Sequence, residues 1–444
     1  MMDKSISYIK TLLAAKFPFF GINKIRELSR LVFEITKRDG IDPKSFIDGI
    51  EFSDYRGTKT SLIKLRYPQN FKTALKNSFY LPDINIEKNS GAVLERAAFY
   101  PENIYYTAEV LNSSLYKRIR NLFADSVFKE ISSLKQFLKE NKFSVQAYNS
   151  RRKNLFLINE KFDFFKPCPC TKNVVCCNYS ILNTGYGCPY ECTYCFLQGY
   201  QNVPGIIFPC NIEDFLDINK IKPQHSGFFD MPRVGSGEFT DSLVFDDITL
   251  FSEPIVKFFK ENRNIYFEFK TKSINIENLL KYGGTPNIVI AWSLNTEKMI
   301  EQNEHLTPKL EERLKAAKKC AESGYSIGFH FDPVIFYKDW QKDYIKTIEN
   351  IFDFVDGKYI KWISIGSLRM PAELKKTIEN RFFENRILDE ELLLCDDEKL
   401  RYAKQQRIVM YKTLADVIKK RAENIKVYLC METSEVWNKC GGIL

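Results

Sequence analysis

From residue 178 to 430 the chain alternates short β-type runs with amphipathic helical segments, and few folds accept that order. The β-type runs are YSILNTG, PRVGSGEF, NIYFEFKT, NIVIAWSLN, YSIGFHFDPV, YIKWISIGS and KVYLCM. Between most of them apolar residues recur every three or four positions, as in IEDFLDI, FSEPIVKFFKE, LEERLKAAKKCAESG and QKDYIKTIENIFDFV. Repeated strand–helix units predict a parallel sheet, closed wholly or in part into a barrel, with its chemistry at the C-terminal ends of the strands.

The loop after the first of these strands reads GYGCPYECTYCFLQGY (residues 185–200), with Cys188, Cys192 and Cys195 spaced C-x3-C-x2-C. Three thiolates on one loop can hold three irons of a cubane cluster and leave the fourth iron open to a small molecule. Zinc, the competing metal, takes four protein ligands in structural sites, often as paired C-x2-C knuckles. A three-cysteine loop at a strand end therefore points to a [4Fe-4S] cluster with an open corner. The chain has twelve cysteines, seven of them between Cys168 and Cys195, and such clustering in a reducing compartment argues for metal rather than disulfides.

No uninterrupted apolar run reaches the about 18 residues of a membrane span, and MMDKSISYIKTLLAAKFPFFG lacks a small-residue cleavage site. The expectation is a cytoplasmic protein with no membrane partner. Residues 1–145 read as a mainly helical domain, from IKTLLAAKF, INKIRELSRLVFEITKR and SLYKRIRNLFADSVFKEISSLKQFLKEN. Residues 146–180 read as a strand pair and a cysteine-rich connector, and residues 181–444 as the barrel. Residues 1–160 hold 27 Lys and Arg against 17 Asp and Glu, which leaves 38 against 39 for the rest. This basic excess, with KRIR (117–120) and SRRK (150–153), makes nucleic acid a candidate partner, since phosphates ask only for surface Lys and Arg. A solvated helix face accounts for the same charges.

The cysteine loop, with Tyr194 before its last cysteine, resembles the signature of the radical S-adenosylmethionine (SAM) superfamily. GCPYECTYCFLQ, VGSGEFTDS (234–242), FKTKS (269–273), AWSLN (291–295), HLTPKLEERLKAAKKCAESGYSIGFHFDPVIFYKDW (305–340) and LRM (368–370) follow one another as in the spore photoproduct lyase family of DNA repair enzymes. The resemblance covers roughly residues 150–430, and an order of six blocks is far more specific than any one of them. It implies an α/β fold with a partial (β/α)6-type TIM-like barrel of the radical SAM kind, preceded here by the helical domain. It implies a [4Fe-4S] cluster on Cys188, Cys192 and Cys195, SAM on the fourth iron, and cleavage of SAM to a 5′-deoxyadenosyl radical that abstracts hydrogen from substrate. An electron donor such as flavodoxin or ferredoxin is then an expected partner. By the same resemblance Tyr194, Ser236, Glu238, Thr240 and Asp241 belong to the cofactor site. Lys272 meets the cofactor carboxylate and counts with the cysteines as catalytic, and Ser293 and Asn295 lie near the ribose. Arg369 matches a family arginine able to hold a carboxylate or phosphate.

Two departures matter. The family returns a hydrogen atom through a cysteine of the second-strand motif, assisted by a tyrosine just after the last cluster cysteine. Here Gly237 or Glu238 stands at the first place and Phe196 at the second. A phenyl ring has no exchangeable hydrogen, so efficient repair of the spore thymine lesion is not expected; Tyr186, Tyr194, Cys210 and Cys430 are other candidate donors. Second, KPCPCTKNVVCCNY adds Cys168, Cys170, Cys176 and Cys177, enough for an auxiliary iron–sulfur cluster or zinc, with Cys210 or Cys440 as a substitute ligand. Buried free thiols are the alternative, and Cys320 reads as core. His225, His305 and His330 have no metal-ligand spacing, and His330 with Asp332 forms a strand-end pair. Three functions stay open: a relative of spore photoproduct lyase acting on a nucleic acid lesion or nucleotide, a radical SAM enzyme modifying RNA or a peptide, and a non-catalytic iron–sulfur binding or sensor protein.

Overall fold

The computed structural model describes residues 6–51, 53–76, 91–95, 98–161, 164–170, 173–223 and 229–441. The chain divides into two compact units, Met1–Gly91 with Arg369–Gln406, and Ala92–Leu368 with Arg407–Leu444.

The first unit is mainly helical. Ile6–Lys16, Ile22–Asp39 and Tyr55–Arg66 bury Leu13, Leu28, Leu31 and Leu62 in one core. Asp54 caps Tyr55–Arg66 by accepting from Gly57 N at 2.7 Å, which satisfies one of the orphan amides of the first turn. At the centre Glu34 is buried against Arg30 (2.9 Å), Arg66 (2.7 Å) and Lys375 (2.5 Å). Burial opposes ionisation of Glu34, yet these three cations outweigh it and hold the carboxyl well below its usual range. Lys375 comes from the far end of the sequence, so the helical unit is discontinuous and its N-terminal segment closes near residue 91 rather than 145.

Among the described residues the second unit holds two main sheets besides a two-stranded ladder of Glu191–Cys192 with Glu304–His305. In the smaller, Val127–Glu130, Asn103–Tyr106, Asn154–Ile158 and Ile206–Pro209 lie side by side, all parallel. The helical reading of residues 100–145 holds only in part. The run from 114 to 140 has helical spacing throughout and forms the helices Ser114–Leu122 and Leu134–Glu140, but between them Val127–Glu130 is drawn into register with Asn103–Tyr106. The expected strand pair also separates. Asn154–Ile158 joins the small sheet, whereas Phe165–Pro167 pairs with the barrel. IEDFLDI forms only a short 3-10 turn, Ile212–Phe215.

The larger sheet has eight strands: β1 Phe165–Pro167, β2 Tyr179–Leu182, β3 Arg233–Gly235, β4 Tyr266–Thr271, β5 Ile288–Ser293, β6 Ser326–Val334, β7 Ile360–Ser367 and β8 Lys426–Leu429. Their order in space is their order in sequence. β1 runs antiparallel to β2, and β2 to β8 are parallel, one strand for each of the seven β-type runs read from the sequence. The helices Ser252–Glu261, Leu310–Glu322 and Trp340–Phe354 fall where the apolar periodicity predicts them. Strands β3 and β8 are not neighbours, yet Arg233 Nη2 donates to Tyr428 Oη at 3.1 Å, so the sheet is curled. Glu268 on β4 accepts from Arg233 Nη2 (3.0 Å) and Trp362 Nε1 (2.9 Å) and meets His330 Nε2 at 2.7 Å. A Cβ on Gly235 would stand 1.8 Å from Tyr179 Oη, so only glycine lets β3 pass that ring.

Candidate active site

The cysteine loop is fixed on several sides. After β2 the chain turns at Gly187, whose φ of 88° favours glycine. Gly187 N donates to Phe239 O at 2.8 Å, and the Tyr186 ring stacks on Phe239 at 5.0 Å, which ties the loop to the segment after β3. Glu191–Cys192 pairs antiparallel with Glu304–His305, and Thr193 N donates to Asn303 O at 2.8 Å. Arg151 is fully buried and grips the loop from the other side. Its Nε donates to Cys188 O (2.9 Å), its Nη2 to Tyr190 O (2.7 Å), and its Nη1 pairs with Glu191 (2.6 Å). The SRRK run is therefore not a free basic surface. In KRIR too, Arg118 is spent on the carbonyls of Ile248 and Asp247.

Cys188, Cys192 and Cys195 come together with Lys272. Burial raises all three thiols above their usual range, and Cys195 bears on Cys188 while both bear on Cys192. Lys272 works against this at Cys192 and Cys195. Burial disfavours the Lys272 ammonium, but Glu304 and Cys192 outweigh it and keep the charge. Glu304 accepts from Tyr194 Oη and pairs with Arg313 at 2.7 Å, while Arg313 Nη1 also reaches Ser293 O at 2.9 Å. The sequence reading missed Glu304, Arg313 and Arg151. Arg313 sat inside a quoted motif, but nothing marked these three as interior.

The other strand-end candidates divide into those with free chemistry and those already engaged. Ser236, one residue past β3, is buried with no hydrogen-bond partner for its hydroxyl. Glu238 pairs with Lys166 at 3.5 Å. Thr240 Oγ1 reaches Asp241 O at 3.4 Å. Asp241 accepts from Leu243 N, Val244 N, Thr271 Oγ1 and Lys272 N at 2.6 to 3.1 Å, so it holds the loop and the backbone of Lys272. Ser293 ends β5 and is buried. Asn295 is spent locally, donating to Pro333 O at 3.0 Å and accepting from Tyr344 Oη.

His330 does not pair with Asp332; it bridges Glu268 and Ser364. His305 pairs across from Glu191 in the short ladder, and His225 lies outside the described residues. Arg369 stands in a three-stranded antiparallel sheet of the first unit. Cys320 is core, as expected. Phe196 is 40% exposed and meets Tyr200 edge to face. Beside the loop opens a cleft of about 610 Å³ walled by Phe99, Phe123, Tyr190 and Phe245, with Arg152 at its margin.

The donor set suits an iron–sulfur cluster with SAM. Among the described residues no three such side chains surround a single point, and cluster cysteines each ligate their own iron, so they stand further apart than the ligands of one ion. The buried, unpartnered Ser236 hydroxyl and the charged Lys272 beside the thiols offer an acceptor and a cation for the two ends of an amino acid group.

A family model described as spore photoproduct lyase matches residues 99–436. The spore photoproduct lyase of Clostridium acetobutylicum is 28% identical over 198 residues, 43% of this chain and 57% of that relative, so the chain spans little over half its length. That of Bacillus subtilis is 24% identical over 314 residues, 68% of this chain and 87% of the relative. A solved spore photoproduct lyase variant with bound AdoMet and dinucleoside spore photoproduct superposes with a TM-score of 0.63 at 20% identity, covering 75% of this chain and 99% of that one. At that identity the likeness is one of fold.

Proposed function

The chain belongs to the spore photoproduct lyase family, and from that premise we propose a radical SAM enzyme that holds a [4Fe-4S] cluster on Cys188, Cys192 and Cys195, cleaves SAM, and acts on a lesion or nucleotide in nucleic acid. When bound, the cluster and SAM supply a 5′-deoxyadenosyl radical able to take hydrogen from substrate. The observation that carries this reading is the meeting of three thiols from one loop with a buried, charged Lys272 at the C-terminal ends of parallel barrel strands.

The chain's own residues have separable tasks. Arg151 fixes the loop through backbone carbonyls and Glu191, leaving the thiols free to ligate. Glu304, braced by Arg313 and Tyr194, keeps Lys272 charged so that it can hold a carboxylate. The Ser236 hydroxyl can accept from an ammonium. The aromatic cleft with Arg152 beside Tyr190 suits an unstacked base, which needs π-faces and a cation. The electron would come from a flavodoxin or ferredoxin.

Phe196 and the cysteine-free VGSGEFTDS segment leave no hydrogen donor at the family's two relay positions. They favour, as a second reading, a reaction ending differently from spore lesion repair, such as modification of RNA or a peptide. Incubating the reduced, reconstituted protein with SAM and each candidate substrate under anaerobic conditions separates the two. The substrate that raises 5′-deoxyadenosine formation identifies the class, and a reaction indifferent to nucleic acids would reject the first reading.

A further inference from the structure

Five cysteines outside the catalytic loop gather where the two ends of the barrel sheet approach each other. Cys168 and Cys170 follow β1, Cys176 and Cys177 precede β2, and Cys430 follows β8, the strands at and next to the two edges of the sheet. Val175 N donates to Glu432 O at 2.8 Å, which joins the cysteine-rich connector to the segment just past β8. Cys168 N donates to Tyr179 O and Cys430 N to Ile365 O, each at 2.8 Å, so both flanks are anchored. Of the two substitutes read from the sequence, Cys210 follows a strand of the other sheet and Cys440 follows the helix Ser434–Lys439; Cys430 is the one at the seam.

Two of these thiols already stand at a telling distance. Cys176 Sγ and Cys170 Sγ are 3.6 Å apart. Two thiolates on one tetrahedral ion, with metal–sulfur bonds of about 2.3 Å, stand roughly 3.8 Å apart. Cys177 lies within electrostatic reach of Cys170, Cys176 and the Arg233 guanidinium, and Tyr428 lies within reach of both Cys177 and Cys430. A second observation is independent of the sulfurs. Arg233 is 2% exposed, and its Nε and Nη1 have no hydrogen-bond partner. A divalent ion with four thiolates carries net negative charge, and the two unspent N–H groups of this guanidinium, whose Nη2 is paired with Glu268, can donate toward it from outside the ligand set.

We propose that Cys168, Cys170, Cys176 and Cys177 of the connector, together with Cys430, form one thiolate site for a single thiophilic divalent ion, Zn²⁺ foremost, with four of the five thiols as ligands. The ion clasps the connector to both edges of the barrel sheet. Binding is not a redox step: each ligating thiol releases its proton to solvent as its metal–sulfur bond forms. Among the described residues no three of these groups yet surround one point, so the site closes inward from the Cys170–Cys176 pair when the ion enters. The site does not rest on the radical reading.

The test uses the full-length chain with Cys188, Cys192 and Cys195 all changed to alanine, purified anaerobically and analysed for zinc, iron and sulfide. The expected result is about one zinc per chain, with cobalt substitution giving the intense absorption of a tetrahedral thiolate ion. Adding Cys176→Ser and Cys177→Ser should lower both at least tenfold. Should the triple variant not fold, the same two serines in the otherwise native chain should remove zinc and leave the cluster iron. Zinc and cobalt both below a tenth of an equivalent in folded protein, metal unaffected by the two serines, or iron accompanied by sulfide in the triple variant would each overturn the proposal.

Discussion

Arg151 spends one guanidinium on three groups of the cysteine loop. Changing it to methionine takes the guanidinium from the Glu191 carboxylate, which is 1% exposed, and a buried pair broken on one side costs about 3–5 kcal/mol. Arg151→Met should lower the denaturant midpoint and the iron bound on reconstitution, whereas Arg151→Lys, which keeps the charge and loses the fork, should fall between; unchanged iron content in the methionine variant would show that the loop holds itself. Phe196→Tyr combined with Gly237→Cys or Glu238→Cys should reduce the excess of 5′-deoxyadenosine over repaired thymine when a synthetic dinucleotide lesion is supplied. Clean repair by the unaltered protein would mean that another residue returns the hydrogen. The cysteine triad was legible because its spacing is itself the chemistry. The polar strand-end residues were less so: Ser236 and Asn295 look alike in sequence, and only packing shows that one hydroxyl is unspent while the other side chain is bound to Pro333 and Tyr344. Arg151 read as surface charge because a basic run carries no sign of burial.

Strands β3, β4, β6, β7 and β8 contribute Arg233, Glu268, His330, Trp362 with Ser364, and Tyr428 to one buried polar cluster. Burial, with Lys270 nearby, lowers the His330 pKa, so the ring is neutral, its Nε2–H donating to Glu268 and its Nδ1 accepting from Ser364. Burial opposes ionisation of Glu268, but the Arg233 charge and the hydrogen bond from His330 outweigh it and hold the carboxyl far below its usual value. Both groups take up protons more readily in the unfolded chain, so their contribution is present above the unfolded pKa values and lost on acidification. The thermal midpoint should start to fall as the pH drops below about 6.5 and fall further below about 4.5. His330→Gln should shrink the first descent, leaving the part that His305, also lowered by burial, contributes; a midpoint flat from pH 7 to 5 in the native chain would contradict this account. The barrel strands were legible because each is an apolar run ending in polar residues. Asn103–Tyr106 and Val127–Glu130 were not, being four residues each inside amphipathic sequence, where pairing decides and local period does not.

The basic excess of the first 160 residues does not belong to one body. The first unit carries 24 Lys and Arg against 19 Asp and Glu and the second 41 against 37, so charge alone does not nominate either unit as the nucleic acid surface. If nucleic acid is the substrate, binding by the full chain should weaken at least tenfold between 50 and 200 mM salt, as released counterions require; salt-independent binding in a shift assay would contradict it. Deleting residues 1–91 alone should abolish soluble yield, because it strips Lys375 of the Glu34 carboxylate and exposes the core face of the segment 369–406. That discontinuity was invisible in the sequence, since residues 369–406 read as the barrel's own continuation. The central claim is tested most directly by one measurement: 5′-deoxyadenosine formed from SAM by the anaerobically reconstituted, reduced chain, beside its Cys188→Ala, Cys192→Ala and Cys195→Ala variants. The account predicts formation by the native chain and none above background by any variant; cleavage surviving the loss of one of these thiols, or absent from a native chain that has taken up its iron, would contradict it.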